Sequence, residues 1–246
     1  MQKTKIEWCD MTWNPVTGCL NSCPYCYARI IASRFSKSGY SEGTIHELFN
    51  PNKVYGLRGD PFPYTFDPTF FHNRLNEPQR RKRPQNIFVC SMADLFGEWV
   101  PDSWIQEVFA ACDKAPQHRY IFLTKNPNRY IDLAKKDMLP RQHWYGYTAT
   151  TEKDLWRFTH ADDCPCLNLF ISIEPMLEQF NFDVTTHCPA DWLIIGMETG
   201  NRKNKVAPKR EWIEGIRKYN NLKVPVFMKD NLASVWGEPL IQEYPW

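Results

Sequence analysis

The chain lacks the marks of export. Its first residues, Met1-Gln2-Lys3-Thr4-Lys5, contain no apolar stretch of the kind that follows the charged head of a signal peptide. No apolar run approaches the ~20 residues that span a bilayer, so no membrane helix is expected. A dominant charge is missing too: 30 Lys and Arg stand against 28 Asp and Glu, a formal net charge of +2. That balance excludes the strongly basic footprint of a protein that coats nucleic acid, and it leaves only local patches for phosphate contact. There is no repeat and no low-complexity tract. These absences predict a cytoplasmic globular protein, and 246 residues suit a single domain, residues 1–246.

Cysteine and aromatic rings are plentiful. Nine cysteines, an odd number, read in a reducing compartment as metal ligands or core thiols rather than disulfides. Aromatic residues make up 15% of the chain, with ten Trp. Most of these belong in the core; some are available to stack on flat rings.

Short apolar runs recur along the chain: Ile87-Phe88-Val89-Cys90, Tyr120-Ile121-Phe122-Leu123, Trp144 to Thr148, Leu169 to Ile173, Trp192 to Gly196 and Val224 to Met228. Continuous apolar runs without alternation suit strands buried on both faces, as in parallel sheets. Helical patterns lie between them. Asp102 to Lys114 carries Trp104, Ile105, Val108 and Phe109 on one stripe, with Asp102 as its expected cap; Arg210 to Tyr219 carries Trp212, Ile213 and Ile216. Strand and helix repeated about six times predict an α/β fold, an incomplete parallel (β/α) barrel, with Lys5 to Cys9 as its first strand. Residues 36–84 break the rhythm with Pro, Phe and Tyr, and are expected to form an irregular insertion. They end in Arg80-Arg81-Lys82-Arg83, which reaches phosphates only if the insertion folds back over the barrel rim or if extended nucleic acid wraps the side.

Cys19-Leu20-Asn21-Ser22-Cys23-Pro24-Tyr25-Cys26 has the spacing C-x3-C-x2-C and leads into a helical pattern. Three thiolates on one loop can cap three irons of a [4Fe–4S] cubane and leave the fourth open, whereas ferredoxin runs supply further cysteines and close the cluster. A structural zinc site on the same cysteines needs a fourth ligand and stays open as an alternative.

At these residues the chain resembles the radical S-adenosylmethionine (SAM) superfamily. Thr12-Trp13-Asn14-Pro15-Val16-Thr17-Gly18-Cys19 looks like the start of a phage- and prophage-associated family within it. Phe88 to Phe96, Leu123 to Pro127, Ile173-Glu174-Pro175, Gly196 to Gly200 and Val226 to Lys229 are similar to its later blocks. Two residues depart from that pattern: Cys90, where a small polar residue is expected, and Met197, where glycine is frequent. The resemblance implies that Cys19, Cys23 and Cys26 hold the cluster, that its open iron binds SAM, and that Tyr25 leans on the SAM adenine. It implies reductive cleavage of SAM to a 5′-deoxyadenosyl radical that takes hydrogen from a substrate, with a reducing partner such as flavodoxin. The organic chemistry is the cofactor's; the protein orients and shields it.

In a parallel barrel, chemistry collects at the C-terminal strand ends. Lys125, Glu174, Glu198 and Lys229 are the candidate catalytic groups there, as functional contacts or as a rim network of ion pairs. Ser91, Asp94, Thr148 and Thr150 join Tyr25 as candidate SAM contacts. His160, Cys164, Cys166, His187 and Cys188 form a second metal site only if they converge. His46, His72, His118 and His143 read as surface or core residues. The expected substrate is a nucleic-acid base or modified nucleoside, through thymine hypermodification or rearrangement in phage DNA or through lesion repair as in the similar spore photoproduct lyases. A small metabolite or peptide is the alternative, and a zinc-binding nucleic-acid adaptor is the alternative outside catalysis.

Overall fold

The computed structural model describes residues 1–37, 39, 41–50, 60–155, 167–180, 190–200, 202–218 and 224–246. They divide into two compact units, Met1–Thr124 and Lys125–Trp246.

The first unit runs β1 (Gln2–Lys3), β2 (Met11–Trp13), β3 (Val16–Thr17), α1 (Tyr27–Phe35), β4 (His46–Leu48), β5 (Thr69–Phe71), β6 (Asn86–Val89), α2 (Asp102–Asp113) and β7 (Arg119–Thr124). Its main sheet has the order β1-β2-β6-β7, with β1 antiparallel and the others parallel. The expected apolar runs of β6 and β7 are buried strands. The stripe Trp104, Ile105, Val108 and Phe109 of α2 is buried as well. Phe122 of β7 meets Phe96 and Phe109 edge-on, at 5.8 and 5.4 Å between ring centres. Each such ring removed from water contributes about 2–3 kcal/mol.

Three expectations for this unit change. Lys5 to Cys9 is not the first strand of the parallel sheet: only Trp8 of it is buried, and Cys9 N–H closes a turn on Ile6 O. The strand is Met11–Trp13, whose three residues are all buried. Asp102 is not the cap of α2; Pro101 occupies that position and Asp102 lies in the first turn, where its charge favours the helix dipole. The 36–84 stretch supplies β4 and β5, which form a second small sheet of order β3-β5-β4.

The second unit runs α3 (Asn128–Lys135), β8 (Trp144–Thr148), α4 (Glu152–Leu155), β9 (Asn168–Ile173), β10 (Trp192–Ile195), α5 (Arg210–Lys218), β11 (Val226–Met228) and α6 (Ala233–Trp236). Its strands are parallel in the order β8-β9-β10-β11. Gly146 is bare because Phe170 of the next strand fills its space: a Cβ there would lie 2.2 Å from the ring. The tail returns antiparallel along β11, with Met228 N–H donating to Ile241 O and Glu243 N–H to Val226 O, and so covers that sheet edge. No helix of the described residues is long and apolar enough to cross a membrane.

Candidate functional site

In the first unit the cysteine loop follows β3, beyond the C-terminal end of β2, and is fastened on both sides. Gly18 N–H donates to Met92 O at 2.8 Å, and Cys19 N–H donates to Phe66 O at 2.9 Å. Arg29, one turn into α1, donates to Cys19 O and Asn21 O at 3.0 and 3.1 Å and lies over the Phe66 ring. Cys26 is the N-cap of α1: its Sγ accepts from Arg29 N–H at 3.4 Å. Cys19 Sγ accepts from Asn21 N–H, also at 3.4 Å. Cys19 is buried, whereas Cys23 and Cys26 are half-buried, and none of the three is in a disulfide. Between Asp10 and Glu42 the sequence has no acidic residue.

This donor set fits an iron–sulfur cluster. Three soft sulfurs lie on one loop, those of Cys19 and Cys26 receive backbone N–H bonds, and Cys26 also opens a helix whose N-terminus favours negative charge. Among the described residues, no three His, Cys, Asp or Glu gather around a point that would hold a single ion. Cys19 is pushed up to about 12, chiefly by burial and then by the charge of Asp94. Cys19 is therefore held as a thiol at neutral pH, and binding to a metal would release that proton.

The support beneath the loop comes from residues that sequence reasoning missed or assigned elsewhere. Asp94, a candidate SAM contact, spends both oxygens on protein. Oδ2 accepts from Asn21 Nδ2 at 3.0 Å; Oδ1 accepts from Thr124 Oγ1 at 2.6 Å and Phe96 N–H at 3.2 Å. Ser91 Oγ donates to Asn14 Oδ1, which also accepts from Met92 N–H; Ser91 O accepts from Tyr27 OH. Arg74 donates to Asn14 O and caps the Phe71 ring at 3.6 Å. Asn14 and Asn21 lie inside the quoted motifs, which was their only sequence signal. Tyr25 lies half-buried between Cys23 and Cys26. Cys90, the departure from the family pattern, ends β6 in left-handed backbone (φ 59°); its thiol is buried and raised to about 12 by that burial.

In the second unit, parallel register brings residues 173, 195 and 228 side by side. Glu174, Gly196 and Lys229 follow them at neighbouring strand ends. Lys229 Nζ donates to Glu174 Oε1 at 2.6 Å across Gly196, where a Cβ would lie 3.0 Å from the lysine chain and 3.2 Å from the glutamate. Glu198 does not join them. It takes two hydrogen bonds of 2.6 Å from Arg202, a partner not foreseen. The backbone of Met197 is gripped by Asn231, which accepts from its N–H and donates to its O. Met197 is not left-handed, so this loop does not require glycine there. Thr150 Oγ1 donates to Asp154 Oδ2 at 2.8 Å and Thr148 is buried at the end of β8. Lys125 is half-buried directly after β7.

The Glu198–Arg202 pair carries a pH signature. The glutamate side chain is 2% exposed and the arginine 35%. Hydrogen bonding from Arg202 holds the Glu198 carboxyl below its usual value of 4.5, against the opposing effect of burial. A carboxyl with a lowered folded pKa adds stability above its unfolded pKa and loses it as pH falls through the folded one. The stability gap between wild type and Glu198→Gln should therefore be full at pH 7 and narrow below about pH 4.5. Urea midpoints from pH 7 to 3 test this; a constant gap would refute it.

Arg80 to Arg83 are exposed, but they precede the N-terminal end of β6, and Gln117, just before β7, donates to Arg81 O. The run thus lies at the opposite end of these strands from the cysteine loop. His160, Cys164, Cys166, His187 and Cys188 lie outside the described residues.

Known structures agree with this architecture. Spore photoproduct lyase complexed with dinucleoside spore photoproduct superposes with a TM-score of 0.56 and 10% identity, over 92% of this chain and 78% of the lyase. A variant of that lyase with the same dinucleoside gives 0.58 over the same shares. Another variant, with bound AdoMet and the dinucleoside, gives 0.53 over 87% and 74%. At this identity the likeness shows the fold alone. No protein of curated function matches the sequence. A family model described as a protein of unknown function, DUF5131, matches residues 3–239, and the chain belongs to that family.

Proposed function

We propose that this chain is a radical SAM enzyme acting on a nucleic-acid base or modified nucleoside, with residues 1–246 as one domain built as an incomplete barrel. The observation that carries the reading is the Cys19, Cys23, Cys26 loop, three cysteines outside any disulfide with backbone N–H bonds on two sulfurs, following β3 beyond the C-terminal end of β2. A [4Fe–4S] cluster bound there would supply the electron that cleaves SAM and starts hydrogen abstraction from the substrate. The chain's own part is to hold three irons, to anchor the loop through Asn14, Asp94 and Arg29, and to present Tyr25 to the adenine. Ser91, Thr148 and Thr150 remain candidate SAM contacts. Lys125, with the paired charges Glu174–Lys229 and Glu198–Arg202, is assigned to the polar ends of SAM or substrate. A one-electron donor such as flavodoxin completes the system.

The substrate class is supported by the dinucleoside bound in the lyase of the same fold. Repair of a thymine-derived lesion and hypermodification of thymine in phage DNA are the two forms it takes. Anaerobic reconstitution should give about four irons and matching sulfide per chain. Dithionite and SAM should then yield 5′-deoxyadenosine, faster with thymine-lesion dinucleosides or oligonucleotides than without. Zinc without sulfide would overturn the enzyme reading in favour of an adaptor. Stimulation by small metabolites or peptides alone would overturn the nucleic-acid one.

A further inference from the structure

Trp99 packs with residues of the cysteine loop and carries a hydrogen-bond donor that no described residue uses. With Cys26, Phe62 and Met92 it packs on the buried group of Cys19, Ala28, Ala32 and Phe66. Its indole Nε1 is buried and has no hydrogen-bond partner among the described residues. A buried indole N–H ordinarily finds an acceptor, because leaving it dry forfeits its hydration for nothing. The side chains of that packing group offer few candidates. Phe62, Phe66, Ala28 and Ala32 are hydrocarbon; the side-chain heteroatoms are the sulfurs of Cys19, Cys26 and Met92. The ring is also held in place. A Cβ on Gly97 would lie 2.3 Å from its Cζ2, so the indole rests directly on the bare glycine, and Val100 N–H closes that turn on Gly97 O at 3.0 Å.

We propose that Trp99 Nε1–H, which has no sulfur of the described residues within hydrogen-bond reach, donates to an inorganic sulfide of the cluster and thereby raises the cluster's reduction potential. The inference rests on the radical SAM reading and adds a tuning residue to it. A donor aimed at sulfur stabilises the more negative, reduced cluster over the oxidised one. The two backbone N–H bonds to Cys19 and Cys26 act in the same sense, and the indole would be a third.

The test uses reconstituted full-length protein carrying ¹⁵N-indole tryptophan. Pulsed electron paramagnetic resonance of the reduced cluster should show a coupled indole ¹⁵N and an exchangeable proton. Both should vanish in Trp99→Phe, whose iron content stays at the wild-type level while its midpoint potential moves to more negative values. Reduced wild type with no coupled indole nitrogen overturns the proposal, whether or not the variant folds. So does a fully loaded Trp99→Phe with an unchanged potential. Wild type that binds no iron and sulfide overturns the cluster reading itself, a failure visible before any spectrum is taken.

Discussion

Cys23→Ala should leave a folded protein that neither holds a complete cluster nor makes 5′-deoxyadenosine. Cys23 is half-buried, and its structural contribution in the loop includes a backbone bond, Cys26 N–H to Cys23 O at 3.2 Å, which alanine keeps. Removing this half-buried Sγ should cost no more than the ~1 kcal/mol typical of a point substitution. It removes one of three thiolates from a cluster with no fourth cysteine on that loop, so iron content and SAM cleavage fall together. Cys112→Ala is the control. That thiol is buried in α2 and held protonated by burial, well above its ordinary range. Its loss should cost about 1 kcal/mol through packing and leave iron and turnover intact. Iron and sulfide assays with product chromatography on both variants decide it: normal 5′-deoxyadenosine from Cys23→Ala, or loss of iron from Cys112→Ala, would be fatal to the assignment.

The cysteine loop was legible because its chemistry is local: eight residues fix three sulfurs. The long strands were legible for a different reason. Trp144–Thr148 and Asn168–Ile173 are almost wholly buried, and that writes an unbroken apolar run. Met11–Trp13 wrote no such run, being three residues long with a threonine at its centre. The small sheet was hidden because β3 has two residues and its partner β5 lies some fifty positions on; two-residue strands leave no periodicity to read.

Pairing among the charges was the least legible part. Glu174 and Lys229 stand 55 residues apart, and only the register of three parallel strands brings them together over Gly196. Glu198 and Arg202 stand four residues apart, with Gly200 at φ +84° between them, and the guanidinium meets the carboxylate through two hydrogen bonds. A strand-end charge read from sequence alone gives the residue and not its partner. The partner decides whether the group is ready for a ligand or already spent, as Asp94 is on Asn21, Thr124 and Phe96.

Gly18→Ala should be the most damaging single-methyl change in the first unit. Gly18 has φ +86°, where an alanine is strained by about 1–3 kcal/mol. The added Cβ would also lie 2.1 Å from Asp67 O, 2.4 Å from Asp67 C and 2.7 Å from Phe66 O. All three are backbone atoms, so no rotamer change relieves the contact. Retreat of either side is blocked. Asp67 O already accepts from Thr69 Oγ1 at 2.9 Å, and its carboxylate accepts from the backbone of Glu42 and Gly43. On the other side Gly18 N–H is tied to Met92 O, and Cys19 N–H is tied to Phe66 O, the strand of contact the methyl would force apart. Overpacking of this kind adds a further ~1–3 kcal/mol. The total, about 3 kcal/mol or more, is a large share of a domain's stability. Because the displaced residue is the neighbour of Cys19, the first proposed cluster ligand, the fraction that does fold should also bind less iron than wild type. Urea unfolding of the cluster-free protein gives the first number, and iron per folded chain after reconstitution gives the second. A midpoint equal to wild type would mean that the loop can shift away from Asp67 at no cost, and full iron in that variant would show that the clamp on Cys19 is dispensable.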